Sequence, residues 1–205
     1  DSNRFTLQAA LARLGFAVSD LGILPDRREA VVRALAEAGE THDLILTSGG
    51  VSTGEEDHVR AAVAAAGRLD VWRLAIKPGR PVALGRIGRA VFVGLPGNPA
   101  AVVVTFVHVA KPVALLLAGA VPRPPLRFPV RAAFRYRKKA GRREYVRASL
   151  TPAADGILEA RNYPREGAGL ISSLTRTDGL VELAETRTDL APGETVAFIP
   201  WSEIL

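Results

Sequence analysis

The run Leu44-Ile45-Leu46 opens directly into Thr47-Ser48-Gly49-Gly50-Val51-Ser52-Thr53-Gly54, and an alanine-rich helical pattern follows from Asp57 to Ala66. An apolar strand that gives way to a bulk-free loop and then a helix is a βα unit, and its strand needs further strands beside it to satisfy its backbone. Those strands are read at residues 69–76, 82–84 and 90–95. Upstream, Leu7, Ala10, Leu11 and Leu14 recur at helical spacing and stop at Gly15, which suits a helix C-terminal cap. A short strand is expected at 17–21, then a second helix on Ala30, Val31, Ala34, Leu35 and Ala38 that starts at or near Asp26 and ends at Gly39. Pro96-Gly97-Asn98-Pro99 leads into a long helix ending near Gly119. Strands alternating with helices predict a three-layer α/β domain with a mostly parallel sheet over residues 1–119.

From Gly119 to Pro125 the composition shifts to Pro122, Pro124 and Pro125, a stiff stretch that cannot continue a helix. Downstream, residues 145–150, 157–160, 180–183 and 195–199 read as short strands separated by Pro, Gly and Asp, with no helix among them. Residues 120–205 are therefore expected to form a small all-β domain, barrel-like or a sandwich. The chain opens on Asp1 and contains no methionine, which predicts a processed chain or a piece of a longer one.

Charge narrows the partners less than the pattern narrows the fold. The net charge is +6, and ten of the basic residues lie between Arg123 and Arg147 against one acid, Glu144. Such a stretch attracts any polyanion, whether nucleic acid, membrane surface or small oxyanion. Its aromatics Phe134, Tyr136 and Tyr145 are as well explained by a β core, so nucleic acid is disfavoured. The apolar stretches 100–104 and 113–118 are each too short to cross a bilayer, which predicts a soluble protein with no membrane partner, and the absence of cysteine suits a cytoplasmic one. The absence of cysteine removes disulfides and thiolate metal sites, and His42, His58 and His108 lack zinc spacing.

In an α/β sheet, ligands sit beyond the carboxyl ends of the strands. Ser48, Gly49, Gly50 and Ser52 occupy such a loop, where backbone amides can approach a phosphate closely. The alternative is a tight strand-to-helix connection; no Walker lysine follows, and the spacing is not that of a dinucleotide fingerprint. Asp57 and Asp26 each stand near a helix start, either as caps or as a pair able to hold magnesium. Lys77-Pro78-Gly79-Arg80-Pro81 sets two cations in a proline-stiffened loop, suited to an oxyanion or simply a solvated turn. Pro96, Gly97, Asn98 and Pro99 either reverse the chain or bring amides to a ligand at a helix N-terminus.

Taken together, these segments carry a resemblance. Asp1-Ser2-Asn3, Thr47 to Gly54 with Asp57, Lys77 to Pro81 and Gly94-Leu95-Pro96-Gly97-Asn98-Pro99 stand in the order and spacing of molybdopterin molybdenumtransferases. The second half is similar to that family's C-terminal β domain in Arg142-Arg143-Glu144-Tyr145, Gly169 to Ser173 and Asp178-Gly179-Leu180. The resemblance implies the C-terminal part of a four-domain homodimer, with a strand and an acidic loop preceding Asp1. It implies a reaction of adenylylated molybdopterin with molybdate, yielding molybdenum cofactor and AMP with help from magnesium. It further implies contacts with the adenylyltransferase that supplies the substrate and with molybdoenzyme acceptors.

By the same resemblance, Asp57 and Asp26 would position magnesium and the phosphoanhydride, and Ser48 to Ser52 would cradle phosphate. Lys77 and Arg80, with Pro81 next to them, would face molybdate and the ligand phosphate. Pro96 to Pro99 would wall the pterin pocket, and Arg143 or its neighbour Arg142 would reach toward the oxyanion. Two departures stand out: Ala100-Ala101 and Ala168-Gly169 occupy places where the family often carries serine. The rivals are a molybdopterin adenylyltransferase, a competence-damage-associated protein and a non-catalytic scaffold of the same fold. Adenylyltransferases show a Thr-Gly-Gly-Thr-Gly loop and lack the β domain; competence-damage proteins carry Pro-Gly-Val-Pro.

Overall fold

The computed structural model describes residues 1–50, 58–165 and 167–204. In chain order the first elements are α1 (Ser2–Arg13), α2 (Arg28–Thr41), β1 (Leu44–Ser48), α3 (His58–Ala66), β2 (Gly67–Arg73), β3 (Ile76–Lys77), β4 (Pro81–Ile87) and β5 (Ala90–Leu95). A continuous helical run follows, made of α4 (Pro99–Thr105), a π turn over Phe106–Ala110 and α5 (Lys111–Leu117). The remainder is β6 (Phe128–Ala132), β7 (Tyr136–Arg137), β8 (Arg143–Pro152), β9 (Leu158–Asn162), α6 (Ser172–Thr175), β10 (Gly179–Leu183), β11 (Asp189–Leu190), β12 (Thr195–Pro200) and α7 (Trp201–Ile204). Two compact units result: residues 1–74 with 79–122, and residues 75–78 with 123–205.

The first unit is an α/β domain whose sheet runs β1-β5-β4-β2. Where the alternation of elements predicts a mostly parallel sheet, the described sheet is mixed: β1 and β5 are parallel, while β5–β4 and β4–β2 are antiparallel. The reason is the tight Gly88-Arg89 connection, with Gly88 at φ +54°, which folds β4 back on β5 as a hairpin. A parallel pair needs a long crossover, and only β1 has one here. One face carries a cluster of Val31, Leu35 and Ala38 from α2, Ile45 from β1, Ala62 and Val63 from α3, Ala83 and Ile87 from β4, and Ala90 and Phe92 from β5. Elsewhere in the unit α1 packs on α4, and α4 on β5.

Local chemistry explains the helix boundaries. Asp1 caps α1 by accepting from the amides of Asn3 and Arg4. Gly15, at φ +85°, ends it, with Phe16 N–H bonding Leu11 O and Gly15 N–H bonding Ala12 O, a Schellman closure. The strand expected at 17–21 does not form. α2 starts after Arg27 and does not stop at Gly39; it runs on to Thr41. Gly39 is there for space, because a Cβ at that position would lie 2.7 Å from the carbonyl oxygen of Ile87. Gly39→Ala is therefore expected to destabilise the unit by about 1–3 kcal/mol despite the gain in helix propensity, as read by thermal unfolding. A stability gain would show that α2 can move off β4 freely.

The helix from Pro99 to Leu117 joins the two apolar stretches that look too short separately, and among the described residues it alone is long and apolar enough to cross a membrane. Residues Ala100 to Val107 are buried within the unit, so much of its apolar surface is core.

The second unit is all-β apart from two single-turn helices, α6 and α7, absent from the sequence expectation. Its strands run β10-β12-β6-β9-β8, and β8 pairs again with β10, closing a five-stranded barrel. Closure removes free edges within that ring. Inside lie Val130, Ala132, Phe134, Val146, Ala148, Ala160, Val181, Leu183, Leu190, Val196 and Phe198. Gly179 fits where β10 meets β12; a Cβ there would lie 2.2 Å from Ile199 O. The two-residue strand β3 adds in parallel to β8, with Ile76 opposite Arg143 and Lys77 opposite Glu144.

Candidate functional site

Parallel pairing sets the carboxyl ends of β1 and β5 side by side, with Ser48 opposite Leu95. Both strands therefore discharge their loops at the same place, the position where α/β domains bind ligands. Gly49 N–H donates to Leu95 O at 2.9 Å, and a Cβ on Gly97 would stand 3.8 Å from Gly49 Cα, so the two glycine turns abut.

A third segment locks them. Asn3, in the first turn of α1 and only 7% exposed, donates its side-chain amide to Ser48 Oγ at 2.8 Å and to Gly97 O at 2.7 Å. Ser48 Oγ in turn donates to Pro96 O at 3.3 Å. Three segments far apart in sequence thus meet through one carboxamide. Asn98 caps α4 through its backbone, without a side-chain cap bond, and Pro99 occupies the first helical turn. The amide of Asn98 and the helix N-terminus are consequently not engaged with each other, and both are suited to an anion. Gly49 and Gly50 adopt positive φ of 91° and 69°. Gly50, Gly97 and Asn98 are exposed, while Pro96 is buried beneath them.

The other expected residues fall elsewhere. Ser52 and Asp57 lie outside the described residues. Asp26 sits exposed in the turn before α2, and the N-cap of that helix is Arg27. Among the described residues no group of three His, Cys, Asp or Glu side chains could hold a metal ion, so the described donor set does not by itself fit magnesium.

The Lys77 to Pro81 segment divides between the units: Lys77 and Pro78 belong with the β unit, Gly79, Arg80 and Pro81 with the α/β unit. The Lys77-Pro78 bond is cis. Arg80 is exposed, its carbonyl accepting from Leu74 N–H at 2.8 Å, and Pro81 opens β4.

Lys77 has partners that sequence reasoning did not supply. Its Nζ lies 3.3 Å from Glu144 Oε2 and donates to Tyr136 Oη at 3.3 Å, while Tyr136 donates to Glu144 Oε2 at 2.9 Å. Arg142 reaches the other oxygen, Glu144 Oε1, at 3.5 Å. Partial burial pulls the Lys77 pKa down, but Tyr136 and Glu144 outweigh it and leave the ammonium above its ordinary value. Burial, then the hydrogen bond to Glu144, raises the Tyr136 phenol. One sequence signal could have found Glu144: it is the single acid in the basic stretch, and strand β8 carries it inward at 1% exposure.

Arg143, expected to reach an oxyanion, instead forms a fork with Glu185 at 3.0 and 3.0 Å and bonds Glu182 at 2.6 Å. Hydrogen bonding to Glu185 holds its pKa above the ordinary arginine value and lowers that of Glu185. Glu182 also accepts from Arg127. The guanidinium is thus already matched by two carboxylates within its own barrel.

Residues 1–115 match the family described as a probable molybdopterin binding domain. The chain belongs to that family. Residues 129–201 match the MoeA C-terminal region, domain IV, so both halves of this molybdopterin-binding-domain protein are accounted for. A relative from Haemophilus influenzae, named molybdopterin molybdenumtransferase, is 35% identical over all of this chain and 51% of its own length. A second of that name, from a Nostoc species, is 30% identical over 96% of this chain and 46% of its own. The chain spans about half the length of the curated relatives it matches.

Solved structures agree on the fold. A molybdopterin biosynthesis MoeA protein from Pyrococcus horikosii aligns with a TM-score of 0.77 at 24% identity, covering 97% of this chain and 47% of that one. A molybdenum cofactor biosynthesis protein from Pyrococcus furiosus aligns at 0.73 and 25% identity, covering 98% and 64%.

Proposed function

We propose that this chain is the C-terminal part of a cytoplasmic molybdopterin molybdenumtransferase, which loads molybdate onto adenylylated molybdopterin and releases molybdenum cofactor and AMP. The observation that carries the reading is the junction at Asn3, where the turns at Ser48 and Gly97 are held together at the ends of a parallel strand pair. Such a place offers backbone amides and a helix N-terminus to a phosphate-bearing ligand. Ser48, Gly49, Gly50 and Ser52 cradle phosphate, and Pro96, Gly97, Asn98 and Pro99 wall the pterin. Lys77 and Arg80 supply positive charge for molybdate and the phosphoanhydride. A pyrophosphate link and an oxyanion are both polyanionic, and their charge must be offset before the dithiolene sulfurs reach the metal.

Magnesium enters this reading only through the family resemblance, with Asp57 and Asp26 as the residues that would hold it and position the phosphoanhydride. The active form is a homodimer of the longer protein, taking its substrate from an adenylyltransferase and giving its product to molybdoenzyme acceptors. Arg143 contributes to the fold of the barrel through Glu182 and Glu185 rather than by direct reach.

An adenylyltransferase is the rival that shares the α/β unit, and a substrate swap separates the two. Offered ATP and unmodified molybdopterin, the full-length protein is expected to form no pyrophosphate; offered adenylylated molybdopterin with molybdate, it is expected to release AMP. Pyrophosphate formation in the first incubation would favour the rival.

A further inference from the structure

Glu144 has no part in the loading reaction itself, yet it is a buried acid. A carboxylate at 1% exposure is costly unless cations and donors surround it, and a chain can avoid the cost by placing an apolar residue there. Here the acid is surrounded: Tyr136 Oη–H from β7 and Lys77 Nζ from β3 share Oε2, and Arg142 from the bend before β8 takes Oε1. The three-membered ring of Lys77, Tyr136 and Glu144 closes at 3.3, 2.9 and 3.3 Å. β3 contributes nothing to closing the barrel; its two residues serve to place Lys77 opposite Glu144.

We propose that Glu144, with Tyr136 as its bridge, is a positioning residue that holds the Lys77 ammonium charged and in one orientation for presentation to an anionic substrate. The inference rests on the reading that Lys77 meets an oxyanion. An ammonium has three N–H donors, and Glu144 and Tyr136 engage it while the Lys77 side chain remains 48% exposed. A flexible four-carbon stem is thereby converted into a fixed point charge before substrate arrives, which removes an ordering cost from binding. Tyr136 also lies under the cation, with Nζ 5.8 Å from the ring centroid.

The charged and titratable groups around Lys77 in this cluster are Glu144 on β8, Arg142 in the bend just before β8, and Tyr136 on β7. Arg143, between Arg142 and Glu144, is turned to Glu182 and Glu185 and takes no part.

The test uses the full-length protein and its Glu144→Gln variant, which keeps the shape and removes the charge. Two readouts are taken: the rate at which an amine-acylating reagent labels Lys77 at mildly alkaline pH, by mass spectrometry, and kcat and KM for molybdate in AMP release. Glu144→Gln is expected to speed Lys77 labelling by roughly threefold to tenfold, since the amine loses its proton more readily. It is expected to raise KM for molybdate by about tenfold with a smaller change in kcat, the signature of lost substrate binding. Glu144→Asp is expected to recover part of both. Should Glu144→Gln fail to fold, Tyr136→Phe removes only the bridging hydroxyl and is expected to move both readouts in the same direction by about twofold to threefold. Unchanged labelling and unchanged KM in a folded variant would overturn the positioning role. No AMP release from the folded wild type would sink the transferase reading, and the presentation of an anion by Lys77 with it, whatever the labelling shows.

Discussion

Phe92→Ala is expected to lower the stability of the α/β unit by about 3–5 kcal/mol, the cost of removing a large side chain from a core that relaxes only partly. Phe92 is fully buried on β5, opposite Ile45 on β1 and Gly85 on β4. It faces Val31, Leu35 and Ala38 of α2 across the same cluster. Gly85 cannot grow to fill the void, because a Cβ there would lie 2.4 Å from Arg68 O. Hydrogen exchange of the β1 and β5 amides is the appropriate measurement, since it reads this unit separately from the barrel. Loss of protection confined to the α/β unit, with the barrel amides unchanged, is expected; a cost below about 1 kcal/mol would mean the sheet is not held by this face.

Asn3→Leu keeps the size of the side chain and removes both of its donors. Gly97 O and Ser48 Oγ then lose their 2.7 and 2.8 Å partners in a part-buried setting. A stability loss of about 2–3 kcal/mol is expected, from two acceptors left short of a donor. The functional loss should be larger than the stability loss suggests, since a glycine turn displaced by an ångström can cost roughly a hundredfold in rate. AMP release by the folded variant is therefore expected to fall by one to two orders of magnitude. Activity within twofold of the wild type would show that the two turns hold their places without Asn3.

Much of the fold was legible because local rules and tertiary packing agree. The α1 periodicity, its Gly15 stop and the β1 run into Gly49 and Gly50 all reappear. The mixed sheet was not legible, because a strand pattern does not say which neighbour it pairs with. Only the Gly88-Arg89 turn between 87 and 90 hinted at a hairpin. Gly39 misled for a different reason: a helix-ending glycine and a close-packing glycine look identical until the neighbour is known. β7 and β11, of two residues each, are too short to show any period.

The candidate site divides in the same way. Ser48, Gly49, Pro96 and Gly97 were visible because bulk-free turns after strands are a local signature, and the fold brings them together. Asn3 was visible only as part of a motif; its role needs partners 45 and 94 residues away. Arg143 shows the limit of charge counting, since it takes its acids from Glu182 and Glu185, outside the window. Lys77 was singled out for its loop, yet its environment is made by Tyr136 and Glu144, which no spacing rule connects to it.

The central claim is tested most directly by molybdate-dependent AMP release from adenylylated molybdopterin, comparing the full-length protein with its Asp57→Ala variant. Release by the wild type that requires molybdate is expected, with a loss of at least about a hundredfold in the variant. No release from a folded, dimeric wild type would contradict it and leave a binding or scaffold role in its place.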